Sequence, residues 1–195
     1  MRLNVKKVKS LVQGHGTTDI PVKINGKLLP AYRSWSRILE RVYSKAYHAR
    51  NPTYKECTVH KEWLLFSNYN EWYNENYIEG YHLDKDILVP NNKHYSPNTC
   101  RFVPKDINTL LVDNKGKRGK YKQGIVGITI SGKYRVECAV YGKTKRIGIF
   151  DNQEDAIKAY TIFKENHVKE VANLYYKQNL IPKEIYQALM IWKLK

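Results

Sequence analysis

The hydrophobic period changes once between Ile125 and Phe163, and that change restricts the possible folds more than any other feature of the chain. Val126, Ile128 and Ile130 alternate with other residues, and so do Tyr134, Val136, Cys138 and Val140. Strict alternation puts one set of side chains on each face of a strand. Ser131-Gly132 and Tyr141-Gly142-Lys143 supply turn residues between the runs, and a third strand is expected over residues 144–150. The spacing then becomes helical. Ala156, Ala159, Tyr160 and Phe163 share a stripe behind the acidic start Asp151, Glu154 and Asp155. Small alanines let a helix lie close to a sheet. The expectation is three antiparallel strands with one helix on one face. The uncovered face is expected to carry Lys133, Arg135, Glu137 and Tyr141, with Lys145 and Arg146 nearby.

Such a face asks for an anionic partner, and the charge of the whole chain agrees. Lys and Arg number 34 against 18 Asp and Glu, a net charge of +16. A polyanion is attracted at long range by this excess. A two- or three-stranded ribbon can enter a DNA major groove, where Arg and Lys reach base edges. The predicted partner is double-stranded DNA, contacted by Lys133, Arg135, Tyr141, Lys145 and Arg146. No apolar run approaches the length of a membrane span, and the start MRLNVKKVKS lacks the apolar segment of a signal peptide. No membrane association is expected, and the expected location is cytoplasmic. Cys57, Cys100 and Cys138 are odd in number and form no CxxC pair, so neither a disulfide framework nor a structural zinc is expected.

Upstream the sequence divides into further segments. Residues 1–30 read as an N-terminal extension of short strands, with Asn25-Gly26 as a hairpin turn. In YRSWSRILERVYSKAY, Trp35, Ile38, Leu39 and Val42 fall on one helix face, while Arg33, Arg37, Arg41 and Lys45 form a basic stripe on another. In LLFSNYNEWYNENY, Phe66, Tyr69, Trp72 and Tyr73 repeat the pattern as an aromatic core stripe. Residues 31–112 are expected to form one module and residues 113–123 a basic, glycine-containing linker. Residues 124–174 would be the sheet unit, and residues 175–195 a last helix over IPKEIYQALMIWK.

The stretch GYHLDKDILVPNNKHYSPNTCRFVPKDIN gathers polar residues suited to phosphate chemistry. Two short strands and a helix would bring Asp84 and Asn108 across a small cleft. Their oxygens are hard ligands that suit Mg²⁺ or Mn²⁺ held jointly with phosphate.

Both halves resemble known families. GIVGI, GKYRVECAV and RIGIFDNQEDAIKAY are similar to the AP2/ERF DNA-binding domain, with Tyr134 where that family usually has Trp. LDKDI and YSPNTCRF, with the following Asn, resemble the ββα-metal or HNH nucleases common among phage and intron-borne proteins. The resemblance implies Asp84 and Asn108 as metal ligands. It puts Lys85 at the usual general-base His and Thr99 at the usual structural Asn. Free Lys is protonated at neutral pH and is a poor base. His82, two residues before Asp84 on the same strand face, is the first substitute base. His94 is the second, and Lys85 would steady a phosphate. The implied fold is α+β, a ββα-metal-like HNH module followed by an AP2-like three-stranded sheet with one packed helix.

The resulting expectation is a phage-type DNA endonuclease, dependent on Mg²⁺ or Mn²⁺ and aimed by the sheet. A second is a DNA-binding regulatory or accessory protein whose nuclease centre is degenerate and inactive. A third is a basic protein that binds RNA or another protein. A phage-encoded chain would act in the host cytoplasm.

Overall fold

The structure, a computed structural model, describes residues 11–111, 121 and 124–194. The chain divides into two units, Met1–Phe102 and Val103–Lys195. Residues 1–10 of the expected N-terminal extension lie outside the described residues, as does the expected 113–123 linker apart from Tyr121.

The first unit starts its regular structure at the Asn25-Gly26 turn. Asn25 and Gly26 have φ of 49° and 75°, the paired positive angles of a type I′ turn. They join β1 (Lys23–Ile24) to β2 (Lys27–Leu28). Pro30 then opens α1 (Pro30–Tyr43), where its fixed φ and missing N–H carry no penalty. Ala31, Trp35, Ile38, Leu39 and Val42 are its buried face. Ser44 ends α1 and caps α2 (Lys45–Arg50), its hydroxyl accepting from the Tyr47 N–H at 3.2 Å. After β3 (Thr58–Val59) and a short 3-10 turn comes α3 (Phe66–Asn76), which buries Phe66, Tyr69 and Tyr73.

The core of this unit is largely aromatic. The Trp35 indole donates to the Trp63 carbonyl at 2.6 Å. Trp63 packs against Tyr69 and Trp72, with ring centroids 4.9 and 4.7 Å away. Gly16 lies against α1, where an added Cβ would run into Leu39 and Trp35. The remaining strands are short: β4 (Tyr81–Asp84), β5 (His94–Tyr95) and β6 (Arg101–Pro104). β5 pairs in parallel with β3, and β4 pairs with β6.

In the second unit, α4 (Lys105–Leu111) precedes a three-stranded antiparallel sheet in the order β7 (Ile125–Ile128), β8 (Tyr134–Val140), β9 (Lys143–Phe150). Tyr141 and Gly142, with φ of 48° and 75°, make a second type I′ turn between β8 and β9. Asn152 caps α5 (Gln153–Lys177), its side chain accepting from the Asp155 N–H at 2.9 Å. Ala156 and Tyr160 of α5 close a core with Ile125, Val136 and Cys138 of the sheet. Below that core α5 continues for several turns, burying His167, Val168, Val171 and Ala172. α6 (Lys183–Met190) packs on α5 and buries Ile185 and Leu189. Among the described residues, no helix is long and apolar enough to cross a membrane.

The expectation of a ββα-metal module followed by an AP2-like domain is corrected by these observations. Among the described residues the sheets are small and open, three of two strands and one of three. Among the described residues, no group of three or more His, Cys, Asp or Glu stands together in a way that could hold a metal. The fold is α+β without the metal cluster that defines a ββα-metal centre.

Candidate nucleic-acid interface

The sheet of the second unit has one covered face and one open face, and the β8 alternation decides which side chain goes where. Val136 and Cys138 are buried beneath the sheet, against α5, whereas Arg135 and Ala139 are exposed. On the open face Arg135 lies opposite Gly127 of β7 and Ile149 of β9. Glu137 is opposite Arg146, and Ala139 is opposite Thr144. The result is two arginines beside Glu137, with small or apolar residues around them.

A bulge in β9 sets the charge pattern. Val136 pairs with Gly148 but Glu137 pairs with Arg146, so Ile147 is an extra residue. Ile147 turns inward and joins the core under the sheet. A one-residue shift reverses which face the following side chains take. Unbulged pairing would place Lys145 opposite Ala139 on the open face and Arg146 opposite Cys138 on the covered one. The observed register does the reverse. Lys145 is opposite Cys138, and its Nζ lies 5.1 Å from the Phe163 ring centroid on α5.

The five residues expected to contact DNA are thus dispersed. Arg135 and Arg146 share the open face. The Arg135 Nε is 3.4 Å from Glu137 Oε1, and Arg146 makes no ion pair among the described residues. Lys133 sits at the turn before β8, its Nζ 2.8 Å from Asp151 Oδ1. Lys145 leans to the helix side. Tyr141, in the turn, sets its ring edge-on to His167 at 5.4 Å. Burial depresses the pKa of His167, and nearby Lys164 depresses it further. Sequence reasoning missed the bulge, and Gly148 within β9 was its available signal. It also passed over Thr144 and Ile149 as members of the open face.

Among the described residues, those expected at a metal centre belong to no metal-holding cluster. Asp84 ends β4, and its Oδ1 accepts the backbone N–H groups of Asp86 and Ile87 at 2.8 and 2.7 Å. Burial, followed by the charge of Asp86, pushes its pKa up to about 6. Oδ1 thereby closes the turn that follows β4. Asn108 is on α4. His82 is exposed on β4. The Lys85 Nζ pairs with Asp86 Oδ2 at 2.9 Å. His94 binds Thr58 through Nδ1···Oγ1 at 2.8 Å; burial and then the charge of His60 depress its pKa.

The loop is nevertheless braced. Thr99 Oγ1 donates to the His94 carbonyl at 2.9 Å and meets Ser96 Oγ at the same distance. Asn92 does the amide work expected of a residue at position 99. Its Nδ2 reaches the Lys85 and His94 carbonyls, each at 2.6 Å, and its Oδ1 accepts from the His94 N–H at 2.9 Å. The brace is local and structural. The expected Mg²⁺ or Mn²⁺ requirement, and metal-dependent hydrolysis with it, is corrected by the lack of a metal-holding cluster among the described residues.

No protein-family model, curated protein or solved structure matches the chain. The resemblances to HNH nucleases and to AP2/ERF domains accordingly have no matching relative behind them.

Proposed function

We propose that the protein is a DNA-binding regulatory or accessory protein that contacts duplex DNA through the open face of β7, β8 and β9. One observation carries this reading. Arg135 and Arg146 stand on an uncovered sheet face beside Glu137 and Ile149, and its remaining members, Gly127, Ala139 and Thr144, are small enough to let a groove approach. Guanidinium groups pair with phosphate or with the acceptor edge of guanine in two-point fashion. The net charge of +16 supports attraction to a polyanion. Lys133, beside the same sheet, adds a phosphate contact by exchanging Asp151 for the backbone. The lack of a metal-holding cluster among the described residues favours binding over cleavage.

The test is duplex binding by the full chain at several salt concentrations. Replacing Arg135 and Arg146 together by Ala should weaken binding by about 10- to 100-fold and flatten the salt slope by about one per lost phosphate contact. Unchanged affinity and slope would remove the sheet from the interface.

A further inference from the structure

The basic stripe of α1 contains one member unlike the rest. Arg33, Arg37 and Lys45 are exposed, but Arg41 is half-buried. Its guanidinium carbon lies 5.6 Å from the Tyr54 ring centroid. Its Nη1 donates to the Tyr95 hydroxyl over a long 3.4 Å. Among the described residues the Arg41 side chain makes no other hydrogen bond and no ion pair with a carboxylate. Arginine carries five N–H donors and cannot shed its proton, and a cation withdrawn from water normally has an anionic partner. Tyr54 and Tyr95 offer rings and hydroxyls, and no negative charge.

Two more cations share the neighbourhood. The Lys85 Nζ lies 6.0 Å from the Tyr95 ring centroid and its side chain is 13% exposed. The Lys93 Nζ donates to the carbonyl of Thr53, next to Tyr54, at 2.9 Å. Buried Cys57 registers the charge balance. Burial raises the pKa of its thiol, Lys85, Lys93 and Arg41 draw it down, and Asp86 opposes them. Among the described residues, Asp86, paired with Lys85 at 2.9 Å, is the one carboxylate that these three cations share in acting on the thiol.

We propose that Arg41, Lys85 and Lys93 form a cradle in the first unit that takes a phosphate group against the Tyr54 and Tyr95 wall. A planar guanidinium gives two parallel donors to phosphate oxygens, and the ammonium groups act as point charges beside them. The phosphate is either a free ion or monoester, or a diester of a DNA backbone. None of its residues belongs to the sheet of β7, β8 and β9.

Nuclear magnetic resonance of the Arg41 Nε–Hε group in the full chain tests the cradle. Sodium phosphate should move that resonance saturably, and sodium chloride at matched ionic strength should not. Isothermal titration calorimetry with sodium phosphate reads the variant that lacks this resonance: Arg41→Gln should weaken phosphate binding by about tenfold or more, the loss of a charge-assisted contact. Lys93→Gln leaves Arg41 and both tyrosines in place and should weaken it by a smaller factor. That variant carries the test if Arg41→Gln does not fold. A short duplex that moves the resonance and competes with phosphate would identify the backbone as the source. A response to inorganic phosphate alone would identify a free phosphate or monoester. Replacing Arg135 and Arg146 by Ala should leave the phosphate response intact. The proposal is overturned if neither phosphate nor duplex moves the resonance saturably, or if chloride moves it equally.

Discussion

The Asp84 carboxylate is costly to the fold at neutral pH. Its ordinary pKa of 3.8 is pushed up to about 6, first by burial and then by Asp86, although the N–H groups of Asp86 and Ile87 pull it down. A carboxyl whose folded pKa exceeds its unfolded pKa holds more protons folded than unfolded. Stability is then greatest below the unfolded value and falls as pH rises toward the folded one. A rise from 3.8 to about 6 is roughly two units, or about 3 kcal/mol at neutral pH. Asp84→Asn removes that charge and keeps an oxygen for the two N–H groups. Its new amide can also donate to Asp86 where two carboxyls now meet. The variant should be more stable than the parent by about 2–3 kcal/mol near pH 7 and about equal near pH 4. At about 2–4 °C per kcal/mol, the melting temperature should rise by roughly 5–10 °C at the higher pH. Thermal unfolding of both proteins, followed by tryptophan fluorescence at several pH values, reads the difference. A variant that is destabilised near pH 7, or a gain that does not vary with pH, would refute the reasoning.

Three further perturbations address other parts of the chain. Gly16→Ala should destabilise by about 1–3 kcal/mol in denaturant titration, because its methyl would run into Leu39 and Trp35. Asn92→Ala removes the three bonds that tie Lys85 and His94 together and should cost about 1–3 kcal/mol; equal stability would deny the brace. Arg146→Ala should weaken duplex binding by about 5-fold or more, while Lys145→Ala, facing the helix, should change it by less than about 2-fold. The opposite ranking would place the bulge elsewhere.

Features encoded by near neighbours in the chain were legible from sequence. The helical spacing of Trp35, Ile38, Leu39 and Val42 predicts a buried face, and all four are buried. Asn25-Gly26 adopts the paired positive angles its residue types favour. The alternation along β8 correctly separates Val136 and Cys138 from Arg135. Features that depend on pairing partners were not legible. Nothing in CTVH or KHYS signals that Thr58–Val59 runs parallel to His94–Tyr95. The bulge at Ile147 exchanges the faces of Lys145 and Arg146, which simple counting of alternate residues cannot detect. The motif around Asp84 misleads for a related reason. Spacing along the chain brings suitable residue types into one segment, but it does not dictate where each carboxylate spends its lone pairs. Asp84 spends two hydrogen bonds on its own turn.

The aromatic core has a spectroscopic consequence. Of the four tryptophans, Trp35, Trp63 and Trp72 belong to the first unit, and Trp192 alone belongs to the second. Trp35 and Trp63 are fully enclosed, with numerous tyrosines close enough to pass excitation energy to them. Emission from the intact chain is therefore dominated by one half of it. A chain in which Trp192 is replaced by Phe would report melting of the first unit alone. Far-ultraviolet circular dichroism of the same chain would report both. The two melting curves can thus resolve whether the two halves come apart together or in sequence, with no label attached.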